Sequence, residues 1–177
     1  MKDNKLLLNP LTMTEMVSFR PLIAKDWERV REIYRHGIET GNATFQTEVP
    51  TWNDWDTNHF QKCRIIAELT DHIVGWAALS PISSRAVYSG VAEVSVYVAP
   101  EYGGRHFGIY LLEKLLSESE KAGFWTLQAS IFQENKASLA IHEKLEFRLV
   151  GYREKIGQMD GRWRDTLLLE RRSKLIK

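Results

Sequence analysis

The stretch VAEVSVYVAPEYGGRHFG, residues 91–108, contains the pattern from which both the fold and a candidate site are predicted. Its first half, Val91–Val98, is a β-branched run typical of a strand, and Pro100 ends it. A strong amphipathic helix is predicted to follow over Phe107–Ala122. The two adjacent glycines between them let backbone N–H groups approach a ligand closely, and a helix N-terminus favours negative charge. The turn could therefore hold a pyrophosphate, or it could simply join two elements.

Further elements are predicted on both sides of this stretch. Apolar residues at helical spacing after Asp26 predict a helix to about Ile38, which Gly37 weakens at its far end. Thr51 can cap a second, short helix. The order of the elements indicates an α/β or α+β fold with a mixed sheet. The other predicted strands are Arg64–Leu69, Ile73–Ser80, Trp125–Ile131, Arg148–Lys155 and Thr166–Glu170, and a last helix is predicted from Asn135 to about Leu145.

Composition argues against several classes of function. The 177 residues include 24 Lys and Arg and 23 Asp and Glu, so the net charge is only +1. Nucleic acid is not the expected partner, because phosphate binding needs clustered positive charge. The single cysteine, Cys63, cannot form an internal disulfide or a zinc cluster, and no metal is expected. No apolar run approaches the ~20 residues that span a bilayer, so no membrane partner is expected. We expect a flexible tail over residues 1–17 and one cytoplasmic domain over residues 18–177.

Several short segments follow one another in an order specific to one protein family. They are His36–Thr40, Ala43–Phe45, Pro50–Trp52, Glu93–Val98, Asn135–Ser138, His142–Leu145 and Gly161–Trp163 with Asp165. With these segments the chain resembles the GNAT superfamily of acetyl-CoA-dependent N-acetyltransferases over roughly residues 19–169, and most of all the phosphinothricin and methionine sulfoximine acetyltransferases. The resemblance implies a mostly antiparallel central sheet that is flanked by helices and splayed at the acetyl-CoA site.

The chain departs from the family pattern at the turn and at one helix end. The family signature is Arg/Gln-x-x-Gly-x-Gly/Ala, but Gly103 stands at its first position and His106 at its first glycine. Since only glycine adopts unusual φ values cheaply, a side chain at 106 could crowd the phosphates or shift the backbone, whereas a protonated imidazole could attract them. Glu146 replaces the glycine that ends a helix before Phe147, and there we expect a loss of stability rather than of function.

Two residues are candidates for acid and base chemistry. Glu93 interrupts an apolar strand, where a buried carboxylate needs a partner or a function, although a solvent-facing position in the strand is the alternative. The resemblance implies that Glu93 is the base that removes a proton from the acceptor amine. It likewise implies that His142 protonates the departing CoA thiolate, as a histidine can near neutral pH. The alternative for His142 is a satisfied, partly buried histidine.

The resemblance also implies a set of residues that bind acetyl-CoA. The pantetheine would pair with the strand backbone, and the pyrophosphate would lie over the glycine-rich turn. Asn135 would bond the pantetheine or merely cap its helix. Ser138 is a weaker candidate. The whole set is Val96, Tyr97, Val98, Gly103, Gly104, Arg105, His106, Phe107, Gly108, Asn135 and Ser138.

The acceptor site is the least constrained part of the prediction. Arg85 and Tyr88 lie in a polar loop that resembles a family loop with Arg and Tyr, and an arginine there can hold a carboxylate bidentately. Arg162 is a second candidate anchor and Phe45 could wall the pocket, while a solvated surface role is the alternative for each. Arg164 stands where the family has leucine, a change that could alter the pocket edge or a subunit contact.

The implied function is transfer of an acetyl group from acetyl-CoA to the amine of a small amino acid analogue of the phosphinothricin or methionine sulfoximine type. The amine would attack the thioester directly, without a covalent enzyme intermediate. Two alternatives stay open: acetylation of a protein N-terminus or a polyamine, and CoA binding without catalysis. A polyamine site would want acidic pocket residues, whereas this loop offers Arg85. A homodimer is expected from the family.

Overall fold

A computed structural model describes residues 17–177 as one seven-stranded sheet with α-helices on both faces. β1 begins one residue before the predicted domain boundary, and the rest of the predicted tail, residues 1–16, lies outside the described residues. The strands are β1 (Val17–Pro21), β2 (Ile65–Leu69), β3 (His72–Pro81), β4 (Val91–Val98), β5 (Thr126–Phe132), β6 (Arg148–Met159) and β7 (Arg162–Arg172). The helices are α1 (Trp27–Glu39), α2 (Trp52–Asn58), α3 (Phe107–Lys121) and α4 (Lys136–Lys144).

The sheet has the strand order β1-β2-β3-β4-β5-β7-β6. Every neighbouring pair is antiparallel except β4 and β5, which are parallel. One face packs against α3 and α4, and the other packs against α1 and α2. The predicted fold class, a mixed and mostly antiparallel sheet flanked by helices, is confirmed.

The helix α3 lies where its apolar pattern predicts. Leu111, Leu112 and Leu115 are fully buried against one face of the sheet. The helix ends at Lys121, and Gly123 has φ +93°, the left-handed region that glycine adopts without a steric penalty. The strong predicted helix therefore sets the position of the turn that precedes it.

Gly37 weakens α1 less than its sequence position suggests, because the helix continues to Glu39. A Cβ atom at residue 37 would lie 2.6 Å from the ring of Tyr97 on β4. The glycine therefore allows α1 to approach β4 closely. Its role is packing beside the candidate site, and the lower helix propensity is tolerated for that reason.

The last two predicted strands are too short. The prediction ended β6 at Lys155 and began β7 at Thr166, whereas the strands reach Met159 and start at Arg162. The register shifts between Arg153 and Gly157, and such a bulge hides the period of two in the sequence. Asp165 stabilises this bulge: its carboxylate accepts the N–H of Lys155 at 2.7 Å and the hydroxyl of Tyr152. The family-like Asp165 thus has a structural role in this fold.

The described helices are short. The longest, α3, has 15 residues, and within residues 17–177 no helix is both long and apolar enough to cross a membrane. The cytoplasmic location stays a prediction.

Candidate active site

The strands β4 and β5 part in the middle of the sheet. They pair only over Val91–Glu93 and Thr126–Gln128. Beyond this point β4 keeps its antiparallel partner β3 as far as Val98, but its other edge has no strand beside it. Residues 93–98 are half-buried for this reason. The predicted splay is present, and it leaves the backbone of β4 open along one edge.

The turn after β4 keeps a glycine-like backbone although a histidine occupies it. Gly104 has φ +74°, and His106, the residue before α3, has φ +66°. No described residue accepts a hydrogen bond from the N–H groups of Phe107–Ile109, the first three of the helix. The His106 imidazole is exposed and lies beside the ring of Tyr110 at 6.5 Å between centroids. The backbone therefore has the donors and the polarity that suit a pyrophosphate.

The Glu93 carboxylate lies where the two strands part. Alternation along β4 places it on the same face as Tyr97, away from α3, and the parallel register places it beside Gln128. It is half-buried, and no described residue forms an ion pair or a hydrogen bond with it. An accessible carboxylate without a partner, at the end of an open strand edge, can accept a proton from a bound amine.

A pair of tyrosines lines the same face. The rings of Tyr34 on α1 and Tyr97 on β4 lie 4.9 Å apart. Burial raises the pKa of Tyr97 well above its usual value. Both phenols therefore stay protonated near neutral pH and supply neutral hydrogen-bonding groups.

The His142 imidazole is buried on α4, with only 3% of the residue exposed. Its Nδ1 lies 2.8 Å from the carbonyl oxygen of Ser138, which can only accept, so Nδ1 carries the proton. Its Nε2 is buried and has no partner among the described residues. Burial lowers the pKa of His142, so the ring is neutral near pH 7 and Nε2 is an acceptor. A neutral ring of this tautomer lacks the proton that the predicted acid needs at Nε2, and the alternative of a buried histidine gains support.

The end of α4 holds His142 in place and explains Glu146. Glu146 has φ +66°, the N–H of Phe147 donates to the His142 carbonyl at 3.0 Å, and the Glu146 N–H donates to Glu143 at 3.0 Å. This is a Schellman motif, which usually has glycine at the left-handed position. The ring of Phe147 packs edge-on against the imidazole at 4.8 Å. The motif forms without glycine, and the Glu146 side chain pairs with Lys174 at 2.7 Å.

Asn135 has two roles inside the protein. Its Oδ1 accepts the N–H of Ser138 at 3.1 Å, which is the predicted helix cap. Its Nδ2 donates to the carbonyl oxygen of Asn42 at 3.1 Å, a contact the sequence does not indicate. The contact with pantetheine stays a prediction, as does the weaker one for Ser138.

The predicted acceptor residues do not lie together. Arg85 and Tyr88 are exposed in the loop before β4, at the end where β4 and β5 are paired. Arg162 is exposed at the opposite end of β7, ten residues before the Arg172 that pairs with Thr126. At ~3.4 Å a residue, Arg162 lies roughly 30 Å along β7 from Arg172, and the loop of Arg85 leaves and re-enters the sheet at the Arg172 end. The strand positions therefore do not place the two arginines at one small carboxylate.

Three side chains on the face of Glu93 were missed, and a fourth, Arg164, was named only as a departure that could alter the pocket edge or a subunit contact. Gln128 is its neighbour in the parallel pair, and Ser130 follows on the same face, where the Arg153 guanidinium reaches it at 3.4 Å. Arg164 lies over the ring of Phe132 at 4.2 Å. Alternation in the predicted strand could have identified Gln128, but the two arginines depend on the register of β6 and β7, for which the sequence has no signal.

Neither a group of metal-ligating side chains nor a reactive thiol is found among residues 17–177. Residues 17–177 contain no group of three or more His, Cys, Asp or Glu that could hold a metal ion. Burial raises the pKa of the Cys63 thiol to about 11, so the sulfur is protonated and a weak nucleophile.

Comparison with known proteins identifies the family. The profile of the Acetyltransferase (GNAT) family matches residues 27–147, most of the chain. This chain belongs to the GNAT acetyltransferases. It is thus an N-acetyltransferase with acetyl-CoA as its acetyl donor, as predicted, and the open edge of β4 and the turn before α3 fit that donor.

Several GNAT relatives resemble the chain over nearly its full length. A phosphinothricin N-acetyltransferase of Streptomyces coelicolor is 30% identical, covering 89% of this chain and 97% of its own. An L-methionine sulfoximine/L-methionine sulfone acetyltransferase of Pseudomonas aeruginosa is 26% identical, covering 86% and 92%. The crystal structure of a phosphinothricin acetyltransferase from Sinorhizobium meliloti in complex with acetyl-CoA is 27% identical, with a TM-score of 0.81 and 92% of each chain covered. The predicted resemblance is confirmed.

Proposed function

We propose that this GNAT enzyme acetylates the amine of a small amino acid analogue of the phosphinothricin or methionine sulfoximine type. The observation that carries the proposal is the unpaired Glu93 carboxylate at the point where β4 and β5 part. The names of the relatives from Streptomyces coelicolor and Pseudomonas aeruginosa support the acceptor class. The cation Arg153 on the Glu93 face favours an acceptor with a carboxylate over a polyamine.

In the proposed reaction acetyl-CoA supplies a thioester carbonyl carbon to the attacking amine. The open edge of β4 at Val96–Val98 positions the donor, and the turn at residues 103–108 binds its phosphates. Glu93 takes the amine proton, directly or through water, as attack begins. An N–H near Val96 or Tyr97 stabilises the oxyanion.

Protonation of the departing thiolate is the step for which the structure gives the predicted acid, His142, the least support. His142 was the predicted acid, and its pKa is lowered by burial. If it acts as an acid, it does so only in the fraction of molecules that are protonated, and the reaction should then slow as the pH rises above the lowered pKa. A role in which the neutral ring packs α4 against Phe147 predicts no such dependence.

We further propose that the enzyme is a homodimer. A second copy could bring its Arg85 to the end of β7 that carries Arg162, whereas the loop of Arg85 joins its own sheet at the opposite end of β7. The edge strand β6 and its neighbour β7 also expose large apolar side chains, a surface of the kind that partners cover. These are Leu149, Val150, Tyr152, Ile156 and Trp163.

A thiol-release assay with a panel of acceptors tests the proposed function. The panel contains phosphinothricin, methionine sulfoximine, spermidine and a short peptide with a free N-terminus, each with saturating acetyl-CoA. We expect the highest kcat/KM with one of the two amino acid analogues. A preference for spermidine or the peptide would show that the acceptor class is wrong. Tight acetyl-CoA binding without turnover of any acceptor would instead favour a non-catalytic module.

A further inference from the structure

Arg164 on β7 forms two hydrogen bonds with a loop that is more than a hundred residues away in sequence. We define the acceptor loop as residues 41–46, between α1 and α2. The Arg164 Nη1 donates to the carbonyl oxygen of Gly41 at 2.9 Å, and Nη2 donates to the Oδ1 of Asn42 at 2.9 Å. Two bonds from one planar guanidinium fix the direction of the loop as well as its distance.

A second contact holds the same loop from the side of α4. The Asn135 Nδ2 donates to the backbone oxygen of Asn42, while its Oδ1 caps α4. Asn42 is therefore held through its side chain by β7 and through its backbone by the start of α4. A loop residue that is bonded by two separate elements has little freedom to move alone.

Arg164 also contacts Phe45, the predicted wall of the acceptor pocket, indirectly through Phe132. The Arg164 guanidinium stacks on Phe132, whose ring packs edge-on against Phe45 at 4.7 Å. On its other side Phe45 lies against Gly157, where a Cβ atom would come within 2.7 Å of the ring. The position of Phe45 thus depends on β5, β6 and the loop that Arg164 holds.

Arg164 is not free to bind the acceptor itself. Only 17% of its side chain is exposed, and Nη2 also lies 3.4 Å from the carboxylate of Glu134. Its charge is balanced, and its donors are used for the loop. This distinguishes Arg164 from Arg153, whose one protein contact, with Ser130, is long at 3.4 Å.

We propose that Arg164, together with Asn135, is a latch that positions the acceptor loop and thereby sets acceptor affinity through Phe45. Arg164 is a positioning residue, since it acts through Asn42 and Phe132. The inference rests on the proposed function in one respect: Phe45 must lie beside the acceptor. It predicts that losing the Arg164 bonds opens the loop and weakens acceptor binding, while acetyl-CoA binding at β4 and the turn is unchanged.

The test compares Arg164→Leu, which keeps an apolar stem on Phe132, with Arg164→Lys, which keeps the charge but cannot form both bonds. Arg148→Leu is the matched control, because Arg148 is an exposed arginine paired only with Glu170 at the other end of β6. Chymotrypsin cleavage after Phe45 in the folded protein reports the open fraction of the loop. KM for methionine sulfoximine and Kd for acetyl-CoA are measured for each variant.

We expect cleavage after Phe45 to become roughly 5- to 30-fold faster in Arg164→Leu, the change in population that follows from losing one or two net hydrogen bonds. KM for methionine sulfoximine should rise by a similar factor, with Kd for acetyl-CoA unchanged. Arg164→Lys should resemble Arg164→Leu, and Arg148→Leu should resemble the wild type. Asn135→Asp keeps the helix cap but loses the donor to Asn42, so it should also speed cleavage.

Three results would overturn the latch. The first is an unchanged cleavage rate after Phe45 in Arg164→Leu, and the second is a wild-type cleavage rate in Arg164→Lys. The third is an equal acceleration at every other aromatic cleavage site, because that reports global unfolding. Cleavage needs no turnover, so it tests the latch even if none of the acceptors is acetylated. Faster cleavage without any transferase activity would mean that the proposed function fails and the latch stands. Activity with unchanged cleavage would mean the reverse.

Discussion

The proposed cofactor side and the proposed acceptor side of this site are built in different ways. The cofactor side consists of backbone from one continuous stretch, the open edge of β4 and the turn before α3. The acceptor side consists of side chains from separate segments, with Phe45 and Asn42 from one loop, Arg164 from β7 and Asn135 from α4. A binding surface made of backbone tolerates side-chain changes, as His106 shows at a glycine position, whereas the acceptor surface changes with every substitution. In such a layout the acceptor side chains can change while the backbone that holds the donor stays the same.

The largest expected effect is on Glu93, the proposed base. Glu93→Gln keeps the shape of the residue and removes the base, so turnover should fall by roughly 10²–10⁴-fold near neutral pH. Kd for acetyl-CoA should not change, and higher pH should restore part of the rate because more of the amine is then deprotonated. Glu154→Gln, an exposed carboxylate on β6, serves as the control. Full turnover of Glu93→Gln at pH 7 would remove Glu93 from the mechanism.

Arg85→Ala should affect the acceptor side alone. Loss of a charge-assisted bidentate contact costs roughly 10–100-fold in affinity, so KM for methionine sulfoximine should rise by that factor. KM for acetyl-CoA should stay the same, since the loop lies at the opposite end of β4 from the turn.

The ester of the acceptor carboxylate is the complementary change. It should be a poor acceptor for the wild type and no worse for Arg85→Ala, because both changes remove one shared contact. If the two losses multiply instead, Arg85 is not the partner of the carboxylate, and Arg162→Ala becomes the variant to compare.

The buried His142 predicts a pH effect on stability. Its folded pKa is below its unfolded value of about 6.5, so the unfolded chain binds more protons as the pH falls below that value. Stability should therefore be constant above about pH 6.5 and fall with acid, by at most ~1.4 kcal/mol per pH unit from this group. His142→Gln should flatten the dependence in urea titrations between pH 7.5 and 5.5. Burial also lowers the pKa of His59, so His59→Gln is measured beside it. An unchanged slope in His142→Gln contradicts a lowered pKa.

The smallest expected effect concerns the departure from the family at the turn. The left-handed conformation of His106 costs ~1–2 kcal/mol for a residue with a side chain, and His106→Gly removes this cost. Glycine also makes the unfolded chain more flexible, which lowers the stability of the folded state by ~0.4–1 kcal/mol. A gain of about 0.5–1 kcal/mol in the free energy of unfolding should result, with acetyl-CoA bound slightly more tightly because the turn is better suited to phosphate. Glu146→Gly relaxes the same kind of strain at the end of α4, away from the turn, and should leave acetyl-CoA binding unchanged. Equal effects of both variants on acetyl-CoA binding would show that the turn is not special.

Much of the fold could be predicted because it depends on local patterns. The β-branched run of β4 and the apolar stripe of α3 each have a clear period, and Thr51 caps α2 by accepting the N–H of Asp54 as its sequence position predicts. The predicted lengths of β6 and β7 were wrong, because the bulge at residues 153–157 breaks the alternation of side chains. The bond from the Lys155 N–H to Asp165 stabilises this bulge, and it forms only between the two paired strands. The charge state of His142 was also out of reach, since it depends on burial.

The sequence by itself determined the elements of the proposed cofactor side: the strand, the turn and the helix all lie within residues 91–121, so each follows from a local pattern. Only the tertiary structure decided the acceptor half. Arg164 and Asn42 are 122 positions apart, and Asn135 and Asn42 are 93 positions apart, so their contacts exist only once β7 and α4 have packed beside the acceptor loop. The same holds for the separation of Arg85 from Arg162, which the register of β5, β7 and β6 sets. Helices and strands can be predicted because their apolar residues repeat along the sequence with a fixed period. Contacts across the sheet depend on the register between strands, which the side-chain pattern does not encode when a strand is bulged and exposed.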